Sequence, residues 1–575
     1  MPLTGKIRVI YCAGIVSADD VSSNSLSEYK CGGSRIHTAG CNCSFLPILA
    51  LKARYQEGKM FRLTKRELKN KILGGWTGKS YGAIMGEPME FAAQGEIYEG
   101  SLDIHPDAPK VWLHNEDDLY TNMAFLEVMR DNGLDASQDD FADIFRRSKF
   151  MLWHANGQAR QNLLAGIQPG LSGHPKYNPH ADDIDFQIEC DFIGIVSPGL
   201  SKTSQIISDK VGHIMNYGDG YYAGAFLAAL YTYAYLDSDI PAIIKRALKA
   251  IPAECCYARM INDLLQWYDE EPGDWRRAWR KLEDKWNFDL CPWAKSDPPS
   301  RQGGIVGRFN IRGHFNGAYI LIGLLYGGGD YLEAIKICTR CGQDTDSNTA
   351  NCGGVMGVIT GYQDLPQMAK TELGPYMKRD YNFTSLSIES ASDLSYYLAL
   401  ENISQNGGTI SDEDIDIDTQ EYKFDGQHEM SFTDLAFANI FTIHPDFSPE
   451  LQCYGDWTID ERYKDLLTSD KSGDYIEVEF TGTCVYMQGN LNERFGILNA
   501  YIDGQLVQSR DMYTMKKYND SVQSTAVWIT NLPDGKHVLR IEVTGQKRPE
   551  ATGTEIQLGR VISYTGHVPE PIEMS

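Results

Sequence analysis

Two glycine-rich segments with helical spacing place the strongest constraint on how this chain can fold. Leu68 to Ser80 predicts a helix with Ile72 and Trp76 on one face, and its glycines permit a close approach by a neighbouring helix. Cys341 to Gly357, which reads CGQDTDSNTANCGGVMG, predicts a helix end at Gly342 followed by a second small-residue helix. We therefore expect a helical domain in which these segments pack very close to their neighbours.

Acidic side chains are concentrated at the start of two predicted helices that lie far apart in the sequence. One helix opens with three consecutive carboxylates, and the other opens with two carboxylates and a serine. Acidic residues are favourable at a helix N-terminus, but three together repel one another unless a positive partner lies among them. A hard divalent cation binds carboxylate and hydroxyl oxygens and is such a partner, whereas the alternative is two ordinary acidic caps. The residues concerned are Glu116, Asp117, Asp118, Asp344, Asp346 and Ser347.

The composition restricts the classes of function. The 575 residues carry 53 lysines and arginines against 78 aspartates and glutamates, a formal charge of −25, which argues against a nucleic-acid or anionic-membrane partner. The length predicts two or three domains and leaves the oligomeric state open. Gly220 to Leu236 is a little short for a membrane span and is rich in tyrosine, so we expect a buried core helix there. Cys338 and Cys341 form a lone C-x-x-C pair that we interpret as packing residues.

The first 59 residues differ from the rest of the chain. They lack clear periodicity and contain four cysteines with scattered serine and glycine, so residues 1–59 are predicted to be a leader or a disordered segment. Met60 is an alternative natural start. Ile7 to Ala18 has the form of a weak signal-peptide core, interrupted by Arg8. The free cysteines favour a cytoplasmic location, whereas the β-sandwich predicted near the C-terminus favours a periplasmic or secreted one.

The spacing of apolar residues changes from helical to alternating in the second half of the chain. Residues 366–450 form a looser connecting region, in which the acidic stretch 411–418 is predicted to be a solvated loop or edge. After residue 450, apolar residues recur at every second position between Asp-Gly turns. This pattern predicts a β-sandwich over 451–575 that resembles the galactose-binding-like jelly rolls of carbohydrate-active enzymes. A lid or an oligomerisation domain without ligand is the alternative. Candidate sugar-stacking residues are Trp457, Tyr486 and Trp528.

Polar clusters in the middle of the helical region are candidates for substrate binding. The histidine and short acidic side chains at 180–185 suit a sugar pocket, since such pockets combine a few polar groups with aromatic rings. The alternative is a helix N-terminus capped by Asp182. The segment NYGD at 216–219 is a second candidate. The candidate substrate-binding residues are His180, Asp182, Asp183, Asn216 and Asp219.

Three motifs, in their order and spacing, resemble the ADP-ribosylglycohydrolase family. The family's helix of spaced glycines ending in P-x-E-F appears as GKSYGAIMGEPMEF at Gly78 to Phe91. Its double-aspartate motif appears as EDDL at 116–119, and its terminal G-G-D-T-D-T/S motif appears as GQDTDS at 342–347. Residues 212–235 resemble the family's histidine-containing loop and the small-residue helix after it. The resemblance covers about residues 60–365 and implies an all-α ADP-ribosylglycohydrolase-like domain.

The resemblance also implies a binuclear Mg²⁺ site. The metal ligands would be the six residues that open the two acidic helices. Asp117 and Asp346 would in addition take part in catalysis. Glu90 matches a family glutamate near the substrate and is our candidate for general acid–base catalysis or gating, with a buried structural acceptor as the alternative. Metal ions in such a site hold a vicinal diol and make a water easier to deprotonate.

Three departures from the family pattern bear on the substrate. Glu116 stands in place of a hydroxyl ligand, Ala83 in place of an aspartate and Leu119 in place of a threonine. The additional carboxylate disfavours a pyrophosphate near the metal ions and carries no such penalty for a neutral furanoside. The expected function is a Mg²⁺-dependent hydrolase that cleaves an N- or O-glycosidic bond to ADP-ribose or a ribose-like furanosyl group. The alternatives are an exported glycoside hydrolase acting on a furanosyl unit of a glycan, and a non-catalytic sugar- or metal-binding homologue.

Overall fold

A computed structural model of the chain describes residues 60–103, 109, 113–114, 116–287, 309–432, 438–443, 451–459, 466–515 and 522–571. The predicted leader, residues 1–59, lies outside these ranges. The described residues form a helical region followed by antiparallel sheets, which confirms the predicted fold class of an all-α domain with an all-β sandwich. Helices continue to Gln405, beyond the predicted domain limit at residue 365, and the domain limits themselves stay a prediction.

The helices, in chain order, are α1 (Lys65–Gly86), α2 (Asp117–Asn132), α3 (Gln138–Arg147), α4 (His154–Leu164), α5 (Pro169–Ser172), α6 (Asp185–Glu189), α7 (Asp191–Ile195), α8 (Ser201–Met215), α9 (Gly218–Ala234), α10 (Ile240–Ala247), α11 (Cys256–Glu270), α12 (Trp275–Trp286), α13 (Gly313–Tyr326), α14 (Tyr331–Arg340), α15 (Thr345–Thr360), α16 (Gln367–Leu373) and α17 (Ile388–Gln405). A short 3-10 turn, Glu87–Met89, extends α1. Helix α9 carries the apolar run near residue 220 and is buried as expected. In the described part of the chain, no helix has the length and apolar character that a membrane span needs.

The strands are β1 (Phe61–Thr64), β2 (Thr409–Ile410), β3 (Asp414–Ile417), β4 (Ala438–Ile443), β5 (Leu451–Tyr454), β6 (Thr458–Ile459), β7 (Leu467–Ser469), β8 (Tyr475–Thr481), β9 (Cys484–Leu491), β10 (Ile497–Ile502), β11 (Gln505–Asp511), β12 (Val522–Ile529), β13 (Lys536–Val543) and β14 (Ile556–Thr565). One sandwich sheet has the order β11-β10-β13-β8-β5, and the other has the order β12-β9-β14-β7-β6, with β4 also paired to β14. Neighbouring strands are antiparallel, and alternate residues of both sheets fill the core between them.

Helices α1 and α15 pack antiparallel with their backbones in contact. Glycines at every fourth position of α1 face small residues at every fourth position of α15, and a Cβ on any of these glycines would overlap a backbone oxygen of α15. The pairs are Gly74 with Gly357, Gly78 with Gly353, Gly82 with Thr349 and Gly86 with Thr345. This contact confirms the close packing expected of the two glycine-rich segments. It also brings the C-terminal end of α1 next to the N-terminal end of α15.

A small sheet joins the two ends of the helical region. Its strand order is β1-β3-β2, and Arg62 of β1 forms an ion pair with Asp416 of β3 at 2.6 Å. Ile415 and Ile417 are buried beneath this sheet. The prediction of a solvated loop or edge for 411–418 is therefore wrong for its second half, because β3 is the central strand. Two buried isoleucines among acidic residues are too short a pattern to reveal a strand.

The β-sandwich packs directly on the helical region. The indole Nε1 of Trp528 donates to the carbonyl of Pro175 at 2.8 Å, and Arg510 Nη2 donates to Gln158 Oε1 at 2.8 Å. Both side chains of the second contact are buried. The shared apolar cluster includes Ala181, Ile184 and Ile188 from the helical side and Tyr486, Ile562 and Tyr564 from the sandwich.

This interface corrects part of the sugar-stacking prediction. Tyr486 is 1% exposed and Trp528 is 6% exposed, so neither ring has a free face for a sugar. Their assignment as stacking residues is wrong, because a strand pattern shows which residues share a face but not that another domain covers that face. Trp457 is partly buried, its Nε1 donates to the carbonyl of Tyr454 at 3.2 Å, and its role stays a prediction.

Candidate active site

The ends of three helices converge on one group of carboxylates. Thr345 Oγ1, at the start of α15, donates to the carbonyl of Gly86 at the end of α1, at 2.8 Å. The Ser347 hydroxyl of α15 donates to Asp118 Oδ1 of α2 at 3.3 Å, so the two acidic helix starts are in direct contact. The six residues predicted to bind metal are thus brought together. We call the carboxylates gathered here the acidic cluster; its members are Glu87, Glu90, Glu116, Asp117, Asp118, Asp344 and Asp346.

Burial and mutual repulsion raise the pKa values across the acidic cluster. Carboxylate oxygens of Glu87, Glu90 and Asp346 lie within 4.8 Å of one another. Burial and the charge of Asp346 raise the pKa of Glu87 to about 7 and the pKa of Asp117 to about 6. The Glu90 side chain keeps exposed surface, yet partial desolvation and the charges of Asp346 and Glu87 raise its pKa to about 10. Glu90 therefore holds a proton at neutral pH in the metal-free protein.

Two pairs of carboxyl groups in the acidic cluster are hydrogen-bonded to each other. Burial and the charges of Glu87 and Asp346 raise the pKa of Glu116 well above its usual value, and the protonated Glu116 donates to Glu87. Burial and the charge of Asp346 likewise raise the pKa of Asp344, which donates to Asp346. Carboxylates this close are stable only with protons or cations between them.

The acidic cluster fits a hard divalent cation. Glu116 and Asp344 occupy the N-cap positions of α2 and α15, but neither side chain bonds to a helix N–H group, so ordinary capping does not account for them. Asp118 Oδ2 and Asp346 Oδ1 are buried and have no hydrogen-bond partner among the described residues. Such oxygens cost free energy unless they bind something positive. The donor atoms are all oxygen, which suits Mg²⁺ better than a metal that prefers nitrogen and sulfur.

A buried polar network supports the acidic cluster from the protein interior. Lys79 of α1 pairs with Asp191 of α7 at 2.8 Å, and both side chains are fully buried. The Tyr231 hydroxyl and Asn351 Nδ2 donate to Asp191 Oδ1 at 2.5 and 3.0 Å. Burial raises the pKa of Asp118 well above its usual range, and the Lys79 charge opposes that effect. The network therefore ties α1, α7, α9 and α15 together and places one fixed positive charge behind the acidic cluster.

Two strained residues hold the flanking chain segments in place. Phe91, next to Glu90, has φ of 51°, and Gln343, next to Asp344, has φ of 58°. The Phe91 N–H donates to the Gln343 carbonyl at 2.9 Å. A non-glycine residue in this region costs about 1 to 3 kcal/mol and persists only where the surroundings enforce it. The contact fixes the segment that carries Glu90 against the segment that carries Asp344.

Two histidines share one aspartate beside the acidic cluster. His180 Nδ1 lies 2.8 Å and His154 Nδ1 lies 3.4 Å from Asp183 Oδ2. Burial opposes the charging of His154, but Asp183 and Asp185 outweigh burial and raise its pKa. The charge of Asp117 acts in the same direction, so His154 lies within electrostatic reach of the acidic cluster. We call His154, Asp183 and His180 the histidine array.

A profile of the ADP-ribosylglycohydrolase family matches residues 64–392, which is more than half of the chain. The chain belongs to the ADP-ribosylglycohydrolase family. The resemblance found in the three motifs is thereby confirmed. The search of curated proteins found no match.

Three solved structures are similar to parts of this ADP-ribosylglycohydrolase-family protein. An ADP-ribosylglycohydrolase-related protein complex is 15% identical, over 59% of this chain and 99% of that chain, with a TM-score of 0.36. The carbohydrate-binding module CBM36 in complex with calcium and xylotriose is 16% identical, over 22% of this chain and 100% of that chain, with a TM-score of 0.17. A family two carbohydrate esterase from Cellvibrio japonicus is 17% identical, over 24% and 36% of the two chains, with a TM-score of 0.18.

Three of the candidate substrate-binding residues are used by the fold of the ADP-ribosylglycohydrolase-family domain itself. Asp182 forms a buried ion pair with Arg312 at 3.0 Å. Asn216 Nδ2 donates to the Asp183 carbonyl at 2.7 Å, and Asp219 Oδ1 accepts a backbone N–H of α11 at 2.9 Å. These contacts give Asp182, Asn216 and Asp219 structural roles, and substrate binding by them stays a prediction. His180 and Asp183 belong to the histidine array and stay candidates.

Sequence reasoning missed Glu87 and Glu189 of this ADP-ribosylglycohydrolase-family site, whereas Asp185 lies in the cluster predicted at 180–185. Glu87 lies three residues before Glu90, and that spacing within a turn was the signal that could have found it. Asp185 and Glu189 open and close α6, where burial raises the pKa of Asp185 to about 7 and that of Glu189 well above its usual value. Asn156 donates to both of them, at 2.9 and 2.6 Å.

The metal-free wild type and Glu87→Gln are expected to diverge in stability as the pH rises. The carboxyl of Glu87 has an ordinary pKa of 4.5 and a folded pKa of about 7, so folding favours its protonated form. The stabilising contribution of this proton is complete below the ordinary pKa and is lost as the pH rises through the folded pKa. Glutamine imitates the protonated carboxyl and keeps the contribution at every pH.

Urea unfolding of both proteins after chelator treatment measures this difference. We expect equal stabilities at about pH 4 and a variant that is more stable by about 1 to 3 kcal/mol above pH 7. If the free energy of unfolding of the wild type rose above that of Glu87→Gln as the pH increased, Glu87 would not belong to a cluster of repelling charges.

Proposed function

We propose that this protein is a Mg²⁺-dependent hydrolase that cleaves an N- or O-glycosidic bond to ADP-ribose or to a ribose-like furanosyl group. The observation that carries the proposal is the acidic cluster, in which two distant helix starts meet and leave buried carboxylate oxygens without partners among the described residues. Family membership supports the reaction class of glycosyl hydrolysis. The choice of Mg²⁺, the number of ions and the bond cleaved are parts of the proposal.

The residues that would hold the ions are those at the starts of α2 and α15. Ser347 already contacts Asp118 at 3.3 Å, so little movement is needed for their oxygens to share a cation. When bound, Mg²⁺ supplies a Lewis acid for sugar hydroxyls and for water. The proposed ligands are Glu116, Asp117, Asp118, Asp344, Asp346 and Ser347.

Two residues at the edge of the acidic cluster would handle protons and the substrate. Glu90 keeps exposed surface beside the cluster, and partial desolvation favours its protonated form by raising its pKa, so it can donate a proton to the departing group as the glycosidic bond breaks. His154 has a side chain that is 27% exposed, and Asp183 holds its ring. An imidazolium there can bind a hydroxyl or phosphate oxygen of the substrate. Asp117 and Asp346, at the starts of α2 and α15, would hold the attacking water as acceptors.

The neutral furanosyl substrate is favoured by one feature of the site. Glu87 and Glu116 add two carboxyl groups to those of the double-aspartate motifs. A diphosphate that approached them would be repelled, whereas a neutral furanoside would not. This feature supports a glycoside hydrolase acting on a furanosyl unit of a glycan as the second candidate function.

A substrate panel assayed with and without metal tests the proposal. The full chain is treated with chelator, returned to Mg²⁺ and given mono-ADP-ribosylated protein or aryl ribo- and arabinofuranosides. We expect turnover that needs Mg²⁺ and stops when chelator is added again. Turnover of only the ADP-ribosylated protein would remove the glycan candidate, and turnover of only furanosides would remove ADP-ribose.

Two other outcomes would contradict the proposal. Equal turnover in Mg²⁺ and in chelator would exclude metal dependence. Calorimetric binding of Mg²⁺ without turnover of any substrate would favour the third expectation, a non-catalytic sugar- or metal-binding homologue.

A further inference from the structure

Buried side chains of the β-sandwich lie beside the histidine array, and one of them bonds to it. Thr525 of β12 is fully buried, and its Oγ1 lies 3.4 Å from Nε2 of His180, a member of the histidine array. Trp528, further along the same strand, donates to the helical region and anchors β12 there. The contact between Thr525 and His180 is therefore part of a well-packed interface between the two regions.

The direction of this hydrogen bond follows from the charges in the histidine array. Burial alone would raise the pKa of Asp183, but its bonds to His154 and His180 outweigh burial and lower it, so Asp183 is a carboxylate and accepts. His180 Nδ1 therefore donates to Asp183. Burial lowers the pKa of His180 despite the neighbouring carboxylate, which leaves the ring neutral. A neutral ring with a proton on Nδ1 has an acceptor at Nε2, so the Thr525 hydroxyl is the donor.

We infer that Thr525 of the β-sandwich is a positioning residue of the active site. Its hydroxyl fixes the tautomer and orientation of His180, which shares Asp183 with His154 and so holds His154 at the edge of the acidic cluster. The sandwich thus takes part in catalysis whether or not it binds a sugar. The expected effect of Thr525 on kcat rests on the proposed function. Its expected effect on the tautomer and orientation of the His180 ring does not.

Kinetics of three variants of the full chain test the inference. Thr525→Val keeps the shape of the side chain and removes the hydroxyl, and we expect kcat to fall by about tenfold with KM changed by less than about twofold. Thr525→Ser restores a hydroxyl, and its kcat is expected to lie within about twofold of the wild type. The matched control is Ser524→Ala on the same strand, where successive side chains point to opposite faces, and we expect no change.

A measurement of the His180 ring separates this inference from the proposed function. In protein labelled with ¹⁵N-histidine, we expect the ring of His180 to be neutral with its proton on Nδ1. Its Nε2 resonance should shift in Thr525→Val and stay in place in Ser524→Ala. If the wild type turns over no substrate, the proposed function fails, while the ring resonances still decide the role of Thr525.

Two results would overturn the inference. One is an Nε2 resonance of His180 that is the same in the wild type and in Thr525→Val. The other is a Thr525→Ser variant as slow as Thr525→Val, with both unfolding at a lower temperature, because that pattern marks a packing role and not an orienting hydrogen bond.

Discussion

Asp346→Asn is expected to reduce turnover by about a hundredfold or more while the protein stays folded. Asp346 Oδ1 is buried and lacks a partner among the described residues, and its charge acts on Glu87, Glu90 and Asp117. Asparagine keeps the shape and the acceptor oxygen but removes the charge that attracts a divalent cation. In metal-free protein the same change relieves repulsion, so the variant should unfold at a higher temperature than the wild type.

The comparison of stability with and without Mg²⁺ makes this prediction specific. The wild type should gain stability on addition of Mg²⁺, because an ion that binds only the folded state stabilises it, and Asp346→Asn should gain little. Asp393→Asn, which removes an exposed carboxylate from α17, is the matched control and should behave as the wild type. An Asp346→Asn protein that keeps full activity, or that Mg²⁺ stabilises as much as the wild type, would contradict the proposed site.

Gly82→Ala is expected to lower the free energy of unfolding by about 3 kcal/mol or more. A Cβ at this position would overlap the Thr349 carbonyl oxygen, which belongs to the backbone of α15 and cannot turn aside as a side chain would. The two helices would have to separate, and that movement would pull the end of α1 away from the start of α15. We therefore expect the loss of stability to be accompanied by weaker Mg²⁺ binding. Urea unfolding and calorimetric titration measure the two effects.

Gly273→Ala provides the matched control for this prediction. A Cβ at Gly273 would meet no atom within 4 Å, and the φ of Gly273 is not positive. Alanine there should be neutral or stabilise by about 0.4 to 1 kcal/mol, since it restricts the unfolded chain. Equal effects of the two substitutions would show that backbone contact between α1 and α15 does not hold the site together.

The acidic helix starts and the glycine-rich helices could be predicted because each has a local physical reason. Consecutive carboxylates at Glu116 to Asp118 exceed the needs of a helix cap wherever the helix lies, and glycines spaced along α1 favour close packing with any partner. The contact between Asp118 and Ser347 has no such local reason. It depends on how α2 and α15 are arranged in space, and the family resemblance supplied that arrangement.

The supporting groups could not be predicted because none of them has a local signature. From the sequence alone, Lys79 and Asp191 each look like an ordinary helix residue. Only the fold shows that they form a fully buried ion pair. The same holds for Tyr486 and Thr525, whose strand positions are typical of any sandwich. Their importance comes from the interface with the helical region, which no periodicity along one strand can indicate.

The location of bound cations in a crystal soaked with Mn²⁺ tests the central claim most directly. Mn²⁺ prefers the same oxygen ligands as Mg²⁺ and can be located by its anomalous scattering. We expect at least one peak at coordination distance, about 2.0 to 2.5 Å, from oxygens of both Asp118 and Asp346. Peaks confined to other parts of the protein, with Asp118 and Asp346 free of metal, would contradict a shared cation site at the starts of α2 and α15.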